Sequence, residues 1–497
     1  MVRQLQRAIL VILVVVGVCL WMTEVVLFQQ IGLYNAVIHN TDCTSWPTLG
    51  RVGMNTAQAH SALPEFNKIE PKTKTESESE SASASEPHAI RLLVIADPHL
   101  IGHQRGHWLD RLRREFAMQQ SFRAIAQLLP EDQRPHAVLL LGDIFDEGQW
   151  DTQENWDDDL RRFHRVFDMS SMRSPNRQPP LLKVVVGNHD VGFHYVMNQW
   201  LLERFAHAFG PATDSIMISS NSDRTTERQS IQLVTLNSIA MRQDGCTLCN
   251  ATRSRISDIA QELTLQPDTT ERPPVVLAMH FPLFRTSIAD RIADRIADHI
   301  ARGTKMERTA DESNRQELPP TSVTCPVPQD RSGVLQLHRS GRVARRQVSS
   351  HEVVTLPDLL PLVNLSEEQL AEMRSGEDRE TISEEGTKLL LESLAPRLVF
   401  SAHAHEDCVF THSDGTIEVS VGSFNRRNDP DARFLLATVS TDASSPVVAS
   451  VVFCHIPHED VVYVMYAIAV ACVALVALYS GVSFVWQTVQ SRRRKRA

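Results

Sequence analysis

The stretch Arg91-Leu-Leu-Val-Ile-Ala-Asp-Pro-His99 decides the fold, because an unbroken apolar run ends abruptly in an acid and a histidine. A short apolar run of this kind is typical of a strand buried on both faces. Comparable runs recur at 138–142, 182–187, 231–237, 275–279 and 397–401. Helical-period stretches at 108–129 and 196–209 lie between some of them, and this alternation predicts an α/β or layered αββα domain.

Polar residues of one chemical kind follow five of these runs. They are Asp97 and His99, Asp143 and Asp146, Asn188, His189 and Asp190, His280, and His403 and His405. Because ligands bind outside the carboxyl ends of strands in open α/β sheets, we expect one cluster. Carboxylate and imidazole suit two hard-to-borderline divalent ions. Alternate residues of an extended chain point the same way, which predicts that the two residues of each D-x-H or H-x-H pair reach inward together.

The two ends of the 497-residue chain carry uncharged apolar runs. A membrane-crossing helix needs about 20 apolar residues, so 461–486 is predicted to be one. The first run is uncharged over 8–23 and continues past Glu24 to 28. The segment 8–28 is predicted to be an uncleaved signal-anchor helix, with a cleaved signal peptide as the alternative. The balance of 50 basic and 60 acidic residues, a net charge of −10, argues against a nucleic-acid partner.

The basic residues beside these runs predict the orientation. Arg3 and Arg7 precede the first run, and five basic residues follow the second. By the positive-inside rule both termini face the cytosol and the middle of the chain is luminal. Two glycosylation sequons, at Asn250 and Asn364, and six cysteines in the middle fit that side. The basic end resembles a dibasic retrieval signal that would contact coat proteins in ER-to-Golgi transport, with a plain stop-transfer anchor as the alternative.

These observations predict a division of the chain into segments. We expect a cytosolic N-terminus at 1–7, a transmembrane helix at 8–28, a luminal low-complexity tether at 29–88 and a catalytic domain at 89–456. The domain would contain a mobile insertion at 285–380, with a narrow-faced surface helix near 288–300. A second transmembrane helix at 461–486 and a basic cytosolic tail at 487–497 complete the chain.

In their order, D-x-H, GD-x-x-D, GNHD, H and H-x-H resemble the calcineurin-like metallophosphoesterase superfamily. Stretches 106–115, 141–148, 187–195, 244–249 and 423–428 resemble more closely the metallophosphoesterase 1-like family. This resemblance implies a four-layer αββα sandwich between two transmembrane helices. It also implies a manganese-dependent phosphodiesterase of the early secretory pathway, which removes a side-branch ethanolamine phosphate from the second mannose of the GPI-anchor glycan and supports transport of GPI-anchored proteins.

The same resemblance implies a role for each matching residue. Its expected first metal site is Asp97, His99, Asp143 and His405, and its second is Asn188, His280 and His403 with Asp143 as the bridge. His189 would be the acid or transition-state stabiliser, oriented by Asp190, and Asp146 would lie behind the ligands. Two positions depart from the pattern. Ala402 replaces a glycine before H-x-H, and Glu147 replaces the phosphate-clamping arginine of Ser/Thr protein phosphatases.

Two rival interpretations of the function remain at this stage. One is another luminal two-metal phosphoesterase, and the other is a catalytically silent cargo receptor of the same fold. The pair Cys246 and Cys249 could be redox-active or metal-binding, but a structural disulfide is favoured because no second pair stands at ligand spacing. The sequence does not assign disulfide partners among the six cysteines of the middle segment.

Overall fold

The computed structural model describes residues 10, 13–14, 17–18, 31–39, 41–49, 89–104, 106–130, 133–173, 179–192, 196–220, 230–242, 248–265, 272–285, 323–324, 334–339, 343–345 and 381–494. Its α-helices are α1 Ile31–Tyr34, α2 Trp108–Leu128, α3 Gln153–Val166, α4 Asn188–Val191, α5 Gln199–Phe209, α6 Cys249–Leu265, α7 Glu384–Leu394 and α8 Glu459–Arg494. Its strands are β1 Ala89–Ile95, β2 Ala137–Leu140, β3 Leu181–Val184, β4 Asp214–Ser219, β5 Ser230–Leu236, β6 Val275–Met279, β7 Val323–Thr324, β8 Leu335–His338, β9 Val343–Arg345, β10 Leu398–Ser401, β11 Cys408–Thr411, β12 Ile417–Ser420, β13 Arg433–Ser440 and β14 Val447–His455.

The strands form two mixed seven-stranded sheets. The first has the order β3-β2-β1-β13-β14-β8-β9, and the second has the order β4-β5-β6-β10-β12-β11-β7. Strands β1, β2 and β3 are parallel, as are β5, β6, β10 and β12. All six apolar runs that the sequence predicts as strands are strands, and both helical-period stretches are helices. The mixed α/β architecture is therefore confirmed.

Strand β1 shows why these runs are apolar throughout. Ile90, Leu92 and Val94 belong to a buried cluster to which both sheets contribute. The alternate residues Leu93 and Ile95 belong to a second cluster with helix residues such as Phe122 of α2. Both faces of the strand are buried from Leu92 to Ile95, and this stretch carries no polar residue.

The first part of the proposed tether packs on the domain. Cys43 forms a disulfide with Cys454 of β14, 411 residues away. Trp46 donates its indole N–H to the carbonyl of Gln133 over 2.6 Å, and Thr48 accepts a hydrogen bond from Ser450 over 2.9 Å. Residues 41–49 are thus part of the folded unit. The Ser/Glu-rich stretch 71–87 lies outside the described residues.

Part of the predicted insertion also belongs to the sheets. Strand β8 pairs with β14, β9 pairs with β8, and β7 pairs with β11. The partners β14 and β11 are distant in sequence from β8 and β7, so local patterning carried no signal for those two pairings. The predicted surface helix near 288–300 lies outside the described residues.

Helix α8 is the membrane-spanning candidate among the described residues. It is apolar enough to cross a bilayer, and 6% of its most apolar window is buried in the protein, so it is not a core helix. Most of the first apolar run, 8–28, lies outside the described residues. Cys472 of α8 is a free thiol, whereas Cys249 and Cys408 are disulfide-bonded.

Candidate metal centre

The structure gathers the polar residues that follow the five strands into one buried cluster. Within it, two groups that share no residue each have their ligand atoms within 4.8 Å of one another, and His99 also belongs to a third such group with Asp146 and His189. One group is Asp97, His99 and His405, and the other is Asp143, His280 and His403. Each group contains residues that the family resemblance places in one of its two expected ion sites. They form because the carboxyl ends of β1, β2 and β3 meet those of β6 and β10.

Asp143 lies between the two groups. Its Oδ2 is 3.3 Å from Nε2 of His280 and 3.5 Å from Nε2 of His99. Its Oδ1 accepts a hydrogen bond from the backbone N–H of His189 over 2.8 Å. One oxygen is thus held by the protein, and the other faces a histidine from each group, as a bridging ligand requires.

His280 is oriented from behind by the backbone. Its Nδ1 donates to the carbonyl oxygen of Leu141 over 2.8 Å, which leaves the lone pair of Nε2 for the cluster. That Nε2 lies 3.1 Å from Oδ1 of Asn188, and the ring is fully buried. A carbonyl that fixes the tautomer of a histidine in this way is a common feature of metal sites.

His99 is held in a similar manner by a carboxylate. Its Nδ1 contacts Oδ1 of Asp146 at 3.3 Å, and its Nε2 is buried without a hydrogen-bond partner. Oδ1 of Asp97 is likewise buried and unpartnered. Buried polar atoms without partners are costly, and here they face a common space lined by oxygen and nitrogen donors. This donor set fits divalent ions of borderline hardness.

The backbone of the site is left-handed, not extended. Asp97, His99, Asp143, His403 and His405 have φ between 41° and 70°. Residues other than glycine adopt this backbone region at a cost of about 1–3 kcal/mol each, and such strain concentrates at functional sites. The prediction that each D-x-H or H-x-H pair aligns because its chain is extended is therefore wrong. His403 and His405 reach inward through two strained turns, each into a different group.

The charges of the cluster reinforce one another. Burial raises the pKa of Asp143, but His280 and His99 outweigh burial and hold it well below its usual value. Burial lowers the pKa of His280, but Asp143 and Asp97 raise it to about 9. Asp143 and Asp97 thus favour the protonated, positively charged form of the His280 ring. Because metal ions bind the neutral imidazole, His280 would hold an ion only in the form that has lost that proton.

His189 lies beside the cluster, with its ring centroid 4.7 Å from that of His99. Its Nδ1 donates to the carbonyl oxygen of Asp146 over 2.8 Å. The expectation that Asp190 orients His189 is wrong. The Asp190 carboxylate accepts hydrogen bonds from the backbone N–H groups of Ile144, Phe145 and Gly187 instead. Asp190 therefore ties the GD-x-x-D loop to the GNHD turn.

The turn after β12 carries residues whose roles the sequence did not reveal. Asn425 donates to the carbonyls of Pro98 and His99 over 2.8 and 3.1 Å, and Ser423 donates to that of Asp97 over 2.7 Å. Arg427 reaches Oδ2 of Asp146 at 2.7 Å. The resemblance of 423–428 to the family was the available signal, but it did not specify these contacts.

The two departures from the family pattern are accommodated without changing the cluster. Ala402 donates its N–H to the carbonyl of His280 over 2.9 Å, and the positive φ of 70° falls on His403. Glu147 is buried, and it accepts a hydrogen bond from the N–H of Gln104 over 2.9 Å.

The sequence profile of the calcineurin-like phosphoesterase family matches residues 90–303, which include the ligands on the first four motifs. Residues 90–303 are thus similar to a calcineurin-like phosphoesterase domain, and together with the clustered Asp and His side chains this match supports a metal-dependent phosphoesterase.

Curated relatives narrow the class further. Metallophosphoesterase 1 of Rattus norvegicus is 29% identical over 424 residues, which cover 82% of this chain and 83% of that protein. Metallophosphoesterase 1 of Danio rerio is 28% identical over 403 residues, covering 78% and 81%. The chain is therefore similar to these proteins over most of its length. A solved dimetal phosphatase from Danio rerio covers 74% of this chain and 100% of its own, but 12% identity and a TM-score of 0.33 are too low to bear on the fold.

Proposed function

We propose that this chain is a membrane-anchored phosphodiesterase that removes a side-branch ethanolamine phosphate from the second mannose of a GPI-anchor glycan. The observation that carries the hydrolytic part is the pair of ligand groups that meet at Asp143, with His189 beside them. The substrate is proposed from the motif resemblance to the metallophosphoesterase 1-like family. The apolar helix α8 supports action on a substrate that is itself held in a membrane.

We assign the ligands as the sequence predicts. Asp97, His99 and His405 would hold one ion, and Asn188, His280 and His403 the other. Asp143 would be the ligand that the two ions share. Manganese is our choice of metal, because carboxylate, amide and imidazole suit it and the donor set contains no thiolate.

Divalent ions bound there supply polarisation of the phosphate oxygens and a water of lowered pKa. The surrounding residues would position the phosphodiester and protonate its leaving oxygen. In the imidazolium form, Nδ1–H of His189 is held by the carbonyl oxygen of Asp146, and Nε2 carries the proton that would go to the leaving oxygen. General acid assistance of this kind contributes about 10²–10⁴-fold to the rate.

The finer architecture and the cellular setting belong to the same proposal. The two sheets, with helices packed on their outer faces, would form a four-layer αββα sandwich. Both chain ends would face the cytosol, each through one transmembrane helix, and the catalytic domain would be luminal between the endoplasmic reticulum and the Golgi. GPI-anchored proteins would be the substrates, and the basic tail would contact coat proteins.

The decisive experiment is to inactivate the gene and profile GPI glycans by mass spectrometry. Retained ethanolamine phosphate on the second mannose, reversed by the wild-type chain but not by His189→Ala, would support the proposal. An unchanged glycan profile would overturn the substrate assignment.

A second measurement separates the hydrolase from a silent cargo receptor. The purified full-length chain should hydrolyse bis-p-nitrophenyl phosphate when supplied with Mn²⁺. Bound manganese without hydrolysis would favour the silent receptor, and hydrolysis with an unchanged glycan profile would indicate another two-metal phosphoesterase.

A further inference from the structure

An apolar face is exposed at the start of α2, on the catalytic domain. Trp108, Leu109 and Leu112 are 62%, 52% and 57% exposed. At 100° per residue these three positions fall on one side of the helix, together with the partly exposed Phe116. Scattered exposed apolar residues are ordinary, but a tryptophan and two leucines on one helix face form a contiguous patch that indicates an interaction surface. We call it the α2 face.

The α2 face is connected directly to the membrane-spanning candidate. Arg113, the residue after Leu112, binds Glu459 at 2.7 Å and the hydroxyl of Tyr463 at 3.3 Å, both in the first turns of α8. Its guanidinium also lies over the Tyr463 ring, 5.1 Å from the centroid. The neighbouring Val462 is buried in the domain core. The position of the face relative to the start of α8 is therefore set by packing.

The composition of α8 places its first turns at the membrane surface. A hydrocarbon core about 30 Å thick takes about 20 helical residues, which is the span from Tyr466 to Trp486. Tyrosine and tryptophan at the two ends of such a span are typical of the interfacial belts. Glu459 and Tyr463 would then lie among the lipid headgroups, and the α2 face lies within about one helical turn of their partner Arg113.

We propose that the α2 face contacts the lipid of the same bilayer that α8 crosses, with Trp108 and the two leucines in the interfacial zone. The packing of the α2 face beside α8 favours a lipid bilayer as its binding partner. Tryptophan is enriched at the membrane–water interface, where Trp108 would lie. The inference needs α8 to span a membrane, but it is independent of the substrate proposed above.

This contact would hold the metal centre at a set height above the bilayer. His99 precedes α2 by nine residues, and its carbonyl is held by Asn425. Arg426, which follows Asn425 in the chain, donates a hydrogen bond to the carbonyl oxygen of Pro457 over 3.2 Å. Pro457 lies two residues before α8 begins. The site and the membrane end of the domain are thus joined on two sides, which suits a phosphoester carried close to the membrane surface.

The test is photo-crosslinking of the full-length chain in phosphatidylcholine liposomes. The photoreactive residue p-benzoylphenylalanine replaces Leu112 in one variant and Trp108 in a second. In the matched control it replaces Met217, which is 53% exposed on edge strand β4. Melting temperatures equal to that of the unmodified chain establish that each variant is folded, and mass spectrometry identifies the adducts.

Phospholipid adducts at 112 and 108, and none at 217, are the expected result. Adducts from 112 and 108 to a second copy of the chain, or to its own residues 8–28, would overturn the proposal. So would labelling of lipid that is equal at the three positions or lacking at all of them.

Discussion

Gly187 offers the sharpest test of the site, because its lack of a side chain lets two loops touch. A Cβ added there would overlap the backbone nitrogen and Oδ1 of Asp143 and lie 2.9 Å from its Cα. The backbone of Gly187 has φ −110°, which any residue adopts, so Gly187→Ala introduces no backbone strain of its own. The whole effect must come from displacement of Asp143.

The magnitude follows from the place of Asp143 between the two ligand groups. Backbone atoms cannot swing aside as a flexible side chain does, so relief of the overlap needs a shift approaching 1 Å. A misplacement of about 1 Å can cost about 10²-fold in rate. Overpacking of a tight interior costs about 1–3 kcal/mol in stability, so the variant should still fold.

The assay is hydrolysis of bis-p-nitrophenyl phosphate together with manganese content by mass spectrometry. Gly481→Ala is the matched control, because its Cβ would meet nothing within 4 Å. We expect Gly187→Ala to lose most of its turnover and part of its metal, and the control to keep both. A Gly187→Ala variant with wild-type metal content and turnover would refute the placement of Asp143 between two ions.

Four further predictions concern catalysis, metal and stability. His189→Ala should retain its metal and lose about 10²–10⁴-fold in kcat, and unchanged turnover in the metal-replete variant would exclude the acid role. Chelation by EDTA should abolish hydrolysis and lower the melting temperature, and Mn²⁺ should restore both; activity that survives complete metal removal would contradict the assignment. Glu418→Ala removes a fully buried carboxylate that pairs with Arg285 and His412, each at 3.0 Å, and should cost about 3–5 kcal/mol by denaturant unfolding. Burial, with the stacked ring of His455, lowers the pKa of His39 from 6.5 to about 4, so the folded state resists its protonation. Stability should therefore fall by about 1 kcal/mol, after allowance for solvent screening, as the pH drops from 7 to 4, and a pH scan of the melting temperature on His39→Gln should lack that part of the slope.

The sequence by itself determined the elements and the kinds of residue at the site. A run such as 92–96 is recognisable because a stretch of strand buried on both faces favours apolar residues at successive positions. The polar residues after the runs were recognisable because sheet topology gathers strand ends. These features depend on short stretches of chain, so they can be predicted without knowledge of the fold.

Only the tertiary structure decided how those residues are presented. The left-handed backbone at Asp97 and His403, the role of Asp190 and the contact of Arg427 with Asp146 depend on loops from different strands pressing together. No local pattern records such contacts, since their partners stand tens to hundreds of residues away.

The placement of the site relative to helix α8 also depends on contacts between segments that are distant in sequence. The pairing of Cys43 with Cys454 and the junction of α2 with α8 bring together segments hundreds of residues apart. Residue type alone identified a metal-binding site and an apolar C-terminal helix. The orientation of one relative to the other exists only in the packed chain, because it is set by contacts between surfaces that sequence order does not relate.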